Sequence, residues 1–139
     1  MKKLRFSFHL RIPAVLLACA GISLLSCTNE NLGISPCDLK IPDEVTFKND
    51  VLPLIQSNCS ISGCHSGTNP AGHLNLEDSL AYDKLLQSGS GYIKVGNPKS
   101  SIVYLELTAE TNYMPPSGKL SDCEVELVLR WIEQGAVRE

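Results

Sequence analysis

Apolar positions recur with a helical period in four separate stretches of the chain, and the segments between them are rich in Gly, Pro, Asn and Ser. In the first stretch Val51, Leu54 and Ile55 share one face at i, i+3 and i+4. With Asp50 as N-cap, Pro53 falls in the first turn, where its missing N–H would have had no partner; a start at Thr46 would strand that proline deep inside. A helix starting near Asp50 then leads straight to Cys59. Asp78 to Gln87 places Leu80, Asp83, Lys84 and Leu85 at spacings that fit a second short helix. Gly89 to Pro98 predicts a loop, and Ser100 predicts the cap of a third helix in which Ile102, Tyr104 and Leu105 supply apolar contacts. Tyr113-Met114-Pro115-Pro116-Ser117-Gly118 is excluded from regular helix and central strand, because two successive prolines remove donors and force extended backbone. The last helix has the clearest start: Ser121 and Glu124 form a capping box, and Leu120 can pack on Val125 as a staple. Its stripe is Val125, Val128, Leu129 and Ile132, widened by Leu127 and Trp131, and Gly135 stops it. The expected fold is all-α, about four short helices joined by long loops, with Trp131 as core.

The N-terminal region has another pattern. Lys2, Lys3, Arg5 and Arg11 make a positive start, and Ile12 to Leu25 is an apolar stretch too short, and too interrupted by Pro13, for a comfortable membrane span. This reads as an export signal over residues 1–26. Leu24-Leu25-Ser26-Cys27 resembles the lipobox of bacterial lipoproteins, in which the leader is cut before the cysteine and Cys27 carries the lipid; the alternative is a soluble secreted protein cut nearby. Thr28 rather than aspartate comes next, which resembles signals sorted to the outer membrane, with the anchored domain facing the periplasm or the exterior. Residues 27–42 are then a lipidated cysteine and flexible tether, and residues 43–139 the folded domain.

Removing the leader changes the charge. The whole chain of 139 residues has 12 basic and 15 acidic residues and a net charge of −3, but four of the basic residues and none of the acidic ones lie in the leader, so the remainder stands at −7. A surface of that sign excludes nucleic acid as a partner, which needs clustered Lys and Arg. About 110 residues suit a single domain, expected to be monomeric.

Cys59-Ser60-Ile61-Ser62-Gly63-Cys64-His65 carries the chemistry. Two cysteines ending in Cys-His are the pattern by which a protein holds haem covalently: the thiols add to the two vinyl groups and the histidine ligates the iron. Four residues intervene here instead of the usual two, so the extra pair must bulge, which Gly63 and the serines make sterically cheap. The rival readings are a Cys59–Cys64 disulfide and a zinc site of Cys59, Cys64, His65 and His73. Only one such motif exists, which limits the chain to one covalent haem c. Beyond the leader Met114 is the sole methionine, and its stiff proline loop can hold a thioether at a fixed distance from iron; Met/His ligation raises the reduction potential relative to bis-histidine haem. His73 is the rival sixth ligand. Of six cysteines, Cys19 leaves with the leader, Cys27 takes the lipid and two serve the haem. In an oxidising compartment the remaining Cys37 and Cys123 predict a disulfide, the alternative being two separately buried thiols.

The order of these elements resembles class I cytochrome c: a helix, Cys-Cys-His, a loop-rich middle, a methionine loop and a closing helix. More narrowly, about Asp43 to Val137 resembles the planctomycete-type cytochrome c-like domains of exported bacterial proteins. Phe47, Asn49, Asp50 and Pro53 precede the motif. Val95-Gly96-Asn97-Pro98 with Ser100 and Ser101, Met114-Pro115-Pro116, Leu120-Ser121, Trp131-Ile132 and Gly135-Ala136 lie after it. The resemblance implies a haem c electron carrier with Cys59 and Cys64 as attachment sites, His65 as proximal ligand and Met114 as distal ligand. The expected function is that of a lipid-anchored mono-haem cytochrome, not an enzyme, carrying single electrons between exported or membrane-associated redox partners in the cell envelope. The competing classes are a haem sensor or enzyme with a labile sixth ligand and a haem-free, disulfide-stapled interaction lipoprotein.

Overall fold

A computed structural model describes residues 35–139. The export signal, Cys27 and most of the tether lie outside the described residues. Among the described residues there are four α-helices and no strand: α1 Leu52–Asn58, α2 Asp78–Leu85, α3 Ile102–Thr108 and α4 Asp122–Glu133. No helix among them is long and apolar enough to cross a membrane.

Helical structure begins earlier than the proline argument requires. Thr46 is the N-cap, its hydroxyl accepting from Asn49 N–H at 3.3 Å, and Asp50 accepts from the Thr46 N–H at 2.8 Å instead of capping in its own right. Between them Phe47–Val51 forms one wide turn of π geometry, after which α1 starts with Pro53 at its beginning. The wide turn resolves the conflict with Pro53. It moves the α-helical register forward so that the proline meets a first turn, where no N–H is needed.

The frame is an aromatic contact that joins the first helical turn to α2 and α4. Phe47, 2% exposed, lies 5.4 Å from the Trp131 ring of α4 and 5.2 Å, edge-on, from Tyr82 of α2. Trp131 is fully buried and its indole N–H donates to the Val137 carbonyl at 2.9 Å, so the polar tip of a large core residue is satisfied. Backbone bonds from Phe47 N–H to Val137 and from Lys48 N–H to Arg138 pair the segment after α4 with the first helical turn. The α4 capping box is present in both directions, with Ser121 accepting from Glu124 N–H and Glu124 from Ser121 N–H. Gly135 ends the helix at φ +100, a conformation a side chain disfavours.

Several sequence expectations shift. The packed unit begins before residue 43, since Cys37 and Ile41 are buried in the core, 2% and 5% exposed. Ser101, not Ser100, precedes α3. It is fully buried and its hydroxyl accepts from the Lys94 N–H at 2.9 Å, while Ser100 donates to the Asn97 carbonyl. On α3 the buried residue is Leu107, whereas Ile102 and Leu105 face outward; on α2 it is Ala81 and Leu85 that turn inward and Leu80 that does not, and the helix stops at Leu85.

Cys37 and Cys123 form a disulfide with Cα atoms 5.2 Å apart. The same strip of α4 is held by polar groups: Ser35 donates to Glu126 at 2.7 Å, and Arg130 pairs with Glu126 at 2.7 Å and with Asp38. The Arg130 guanidinium holds the Asp38 carboxyl below the usual carboxylate range. The disulfide closes a loop of 86 residues. On the chain-entropy model its loss destabilises by about 4 kcal/mol, so Cys37→Ser should lower the unfolding free energy obtained from urea titration by about that amount and shift the midpoint to lower urea; an unchanged midpoint would remove the disulfide's role in stability.

Candidate functional site

α1 delivers the chain to the motif, and the carbonyl of Cys59 organises the turn beyond it. Cys59 is the C-cap of α1, its N–H donating to Ile55 O at 2.8 Å. Its own carbonyl accepts from Ile61 N–H at 2.8 Å and from His65 N–H at 3.3 Å, while Cys64 N–H donates to Ile61 O at 2.9 Å. The four intervening residues are thereby looped out and the chain is returned to its starting point. Gly63 takes φ +84 at the tip, which a residue with a Cβ resists. Cys59, Cys64 and His65 thus occupy one small loop despite the wide spacing.

His65 is oriented by backbone. Its Nδ1 lies 3.1 Å from the Leu74 carbonyl oxygen. A carbonyl only accepts, so Nδ1 carries a proton, and in the neutral ring the lone pair is then on Nε2. The His65 carbonyl in turn accepts from Leu76 N–H at 2.7 Å, Cys64 O accepts from Ala71 N–H at 2.7 Å, and Gln56 of α1 donates to Leu76 O at 3.0 Å. The segment Leu74 to Leu76 is therefore laced to both the motif and the helix before it. Leu74 and Leu76 are buried, which fixes that segment from beneath.

Both motif thiols are unpaired and half-buried. Burial, with the Cys64 thiol beside it as the smaller cause, pushes the Cys59 thiol from its ordinary 9.0 up to about 11. Cys59 packs against the core as an apolar group would.

Met114 comes from a separate segment. Its N–H donates to Glu106 O of α3 at 3.0 Å, its peptide bond to Pro115 is cis, and Pro115 is buried while the Met114 side chain is 38% exposed. The proline anchors the loop and leaves the thioether at the surface. Among the described residues no hydrogen bond joins this loop to the motif. His73 is exposed, with φ +58, in the loop after the motif. No group of three or more His, Cys, Asp or Glu arranged to hold a metal ion is found among the described residues. A surface hollow of about 530 Å³ lies between α3 and α4, lined by Leu107, Leu120, Val125 and Leu129 among others, and none of the four candidate ligands reaches it.

Sequence reasoning missed the Leu74 carbonyl, for which a backbone acceptor leaves no residue signature. It also missed Asn75 and Glu77, which lace Gly67 to the start of α2. Asn-x-Glu ahead of an apolar helix is an Asx-turn signal and could have marked them.

The donor set fits haem c. It offers two unpaired thiols and an imidazole whose Nδ1 is committed to a backbone carbonyl in one loop, and a thioether on a proline-braced segment.

Comparison with known proteins finds a matching family. Residues 62–118 match the planctomycete cytochrome C family, a span that contains Cys64, His65 and the Met114-Pro115-Pro116 loop and begins after Cys59. This supports a planctomycete-type cytochrome c-like domain, with a cytochrome-like function. No curated protein and no solved structure matches the chain.

The upward shift of Cys59 has a direct chemical readout. At pH 8 this leaves about 100-fold less thiolate than an ordinary thiol has, partly offset by the greater nucleophilicity of a more basic thiolate. Iodoacetamide should therefore modify Cys59 of the haem-free folded protein about 10-fold more slowly than in urea, as measured by peptide mass spectrometry. Equal rates in the two states would show that burial does not protect the thiol.

Proposed function

We propose that the protein is a lipid-anchored, mono-haem c-type cytochrome that carries single electrons between exported or membrane-associated redox partners. The observation that carries this reading is His65 held with Nδ1–H committed to Leu74 O in the same loop as two unpaired thiols. Cys59 and Cys64 would hold the haem through thioether bonds, His65 would ligate iron through Nε2, and Met114 would supply the sixth ligand. When bound, haem c supplies one-electron iron chemistry.

The residues of this chain then do three things. The Leu74 carbonyl fixes the ring plane and tautomer of His65. Ile61 in the motif loop, Ile102 and Leu105 on α3, and Met114, exposed between 37% and 52%, supply apolar surface on the segments that carry the candidate ligands or are bonded to them. The Met114-Pro115-Pro116 loop limits the entropy lost when the thioether is held in place. If His65 and Met114 both held the iron, the protein would leave it no free site for a substrate, and we therefore read the protein as a carrier and not an enzyme. The charge of −7 outside the leader, and the absence of any Asp, Glu, Lys or Arg from Val51 to Leu76, point to protein partners that meet the motif through uncharged contacts.

The lipid anchor rests on Leu24-Leu25-Ser26-Cys27 and puts the protein in the cell envelope, at the outer membrane. The half-exposed Met114 side chain favours one further reading, a sensor or enzyme with a labile sixth ligand. Carbon monoxide separates the two: a rapid Soret shift of the reduced protein would support the labile site, and no shift the carrier.

Full-length protein produced with haem-maturation enzymes should give a pyridine haemochrome spectrum with one haem c per chain; a colourless product would reject the reading. Met114→Ala should retain haem, lower the midpoint potential and lose the far-red band of methionine-ligated ferric iron. An unchanged spectrum would exclude Met114 as ligand.

A further inference from the structure

We propose that Glu77 is a positioning residue for the His65 imidazole, acting through a side-chain clamp that closes the loop between the two segments flanking the ring; the inference rests on His65 being a haem ligand. The ring is carried by one side of this loop and its hydrogen-bond acceptor by the other. Gly67 stands two residues after His65, and Asn75 directly succeeds Leu74, whose carbonyl takes the Nδ1 proton. Glu77 spans the gap with both carboxylate oxygens. Oε1 accepts from Gly67 N–H at 3.0 Å, and Oε2 accepts from Asn75 Nδ2 at 3.2 Å. Asn75 Nδ2 also donates to Gly67 O at 3.2 Å, and Asn75 Oδ1 accepts from Glu77 N–H at 2.9 Å. Both backbone groups of Gly67 are therefore tied to the Asn75–Glu77 pair.

The loop needs such a tie. Gly72 and His73 adopt left-handed conformations in succession, φ +61 and +58, and the second of these is strained for a residue with a side chain. Main-chain bonds from Ala71 to Cys64 and from Leu76 to His65 set the crossing points of the loop. The carboxylate clamp adds charge-assisted bonds that hold the 66–67 side against the 74–75 side. Slack at Gly67 or Asn75 would pass to the 3.1 Å bond between Nδ1 and Leu74 O, because Leu74 and Asn75 share a peptide unit. A longer bond makes the ring a weaker donor to a metal ion, and outer partners of this kind tune ligand basicity.

A weaker imidazole donor stabilises ferric iron less, so loosening the clamp should raise the midpoint potential. In the haem-loaded full chain Glu77→Ala should shift the ferrous to ferric ratio at fixed ambient potential about threefold toward ferrous, about 30 mV at 59 mV per tenfold, and move the His65 ring resonances. Asn75→Ala should shift both in the same direction. Glu77→Gln, which keeps an acceptor for Gly67 N–H, should fall between Glu77→Ala and wild type. Tyr82→Phe, which removes only the bond from Tyr82 to Ala136 O, should lower thermal stability without moving the potential. If Glu77→Ala does not take up haem, Asn75→Ala and Glu77→Gln carry the comparison. A haem-loaded set with potentials equal to wild type, or a shift in Tyr82→Phe as large as in the clamp variants, would overturn the role of Glu77 and leave the cytochrome reading standing. A wild-type protein without haem c would remove the reading beneath it and the clamp with it.

Discussion

The hydrogen bond from His65 Nδ1 to the Leu74 carbonyl decides what the motif can do, because it settles which nitrogen is basic and which way it faces. An imidazole without such a partner interconverts between tautomers and rotates about two side-chain bonds. Binding a metal would then have to fix all of these at once. Here the chain fixes them on folding. The acceptor can do this only because Leu74 and Leu76 are buried and Gln56 ties the same segment to α1. The motif's competence is therefore a property of the loop after it as much as of the cysteines themselves.

That loop in turn depends on a frame that involves no candidate ligand. Phe47 meets Trp131 and Tyr82, and the residues after α4 pair with the first helical turn, so the start and end of the domain are locked together. α1 leaves this locked point and ends at Cys59. A short helix of fixed length from a fixed origin gives the first thiol a defined position, and the bonds from Cys59 O back to Ile61 and His65 pass that definition on to the histidine. The wide spacing between the cysteines is absorbed as a loop with glycine at its tip, without disturbing the frame.

Legibility from the sequence divides along the range of the interactions. The Ser121 and Glu124 box, the stop at Gly135 and the burial of Trp131 are local or periodic signals, and they are legible. The Cys37–Cys123 pairing comes from an even remainder of cysteines in an exported chain. The first helix is misplaced because the rule applied to Pro53 assumes a uniform α register, and one π turn breaks it. Ser100 and Ser101 cannot be told apart by type, and the choice is made by a tertiary demand, the Lys94 N–H that the Ser101 hydroxyl satisfies. The outward turn of Ile102 and Leu105 is equally hidden, since periodicity identifies a stripe but not the side on which the rest of the chain lies. At the candidate site the sequence names the candidate residues but not what holds His65 in place, because that acceptor is a peptide carbonyl.

The attachment of residues 35–38 to α4 carries a mechanical consequence. Tension applied from the N-terminal side reaches Cys37 and divides there, one branch passing through the covalent bridge to Cys123, while the ion pair of Asp38 with Arg130 shares the strain along the helix. The load is delivered to the longest helix and its buried tryptophan. The glycine-tipped loop that carries His65 lies off that path, so a pull from the N-terminal side leaves the bond between His65 and Leu74 unloaded.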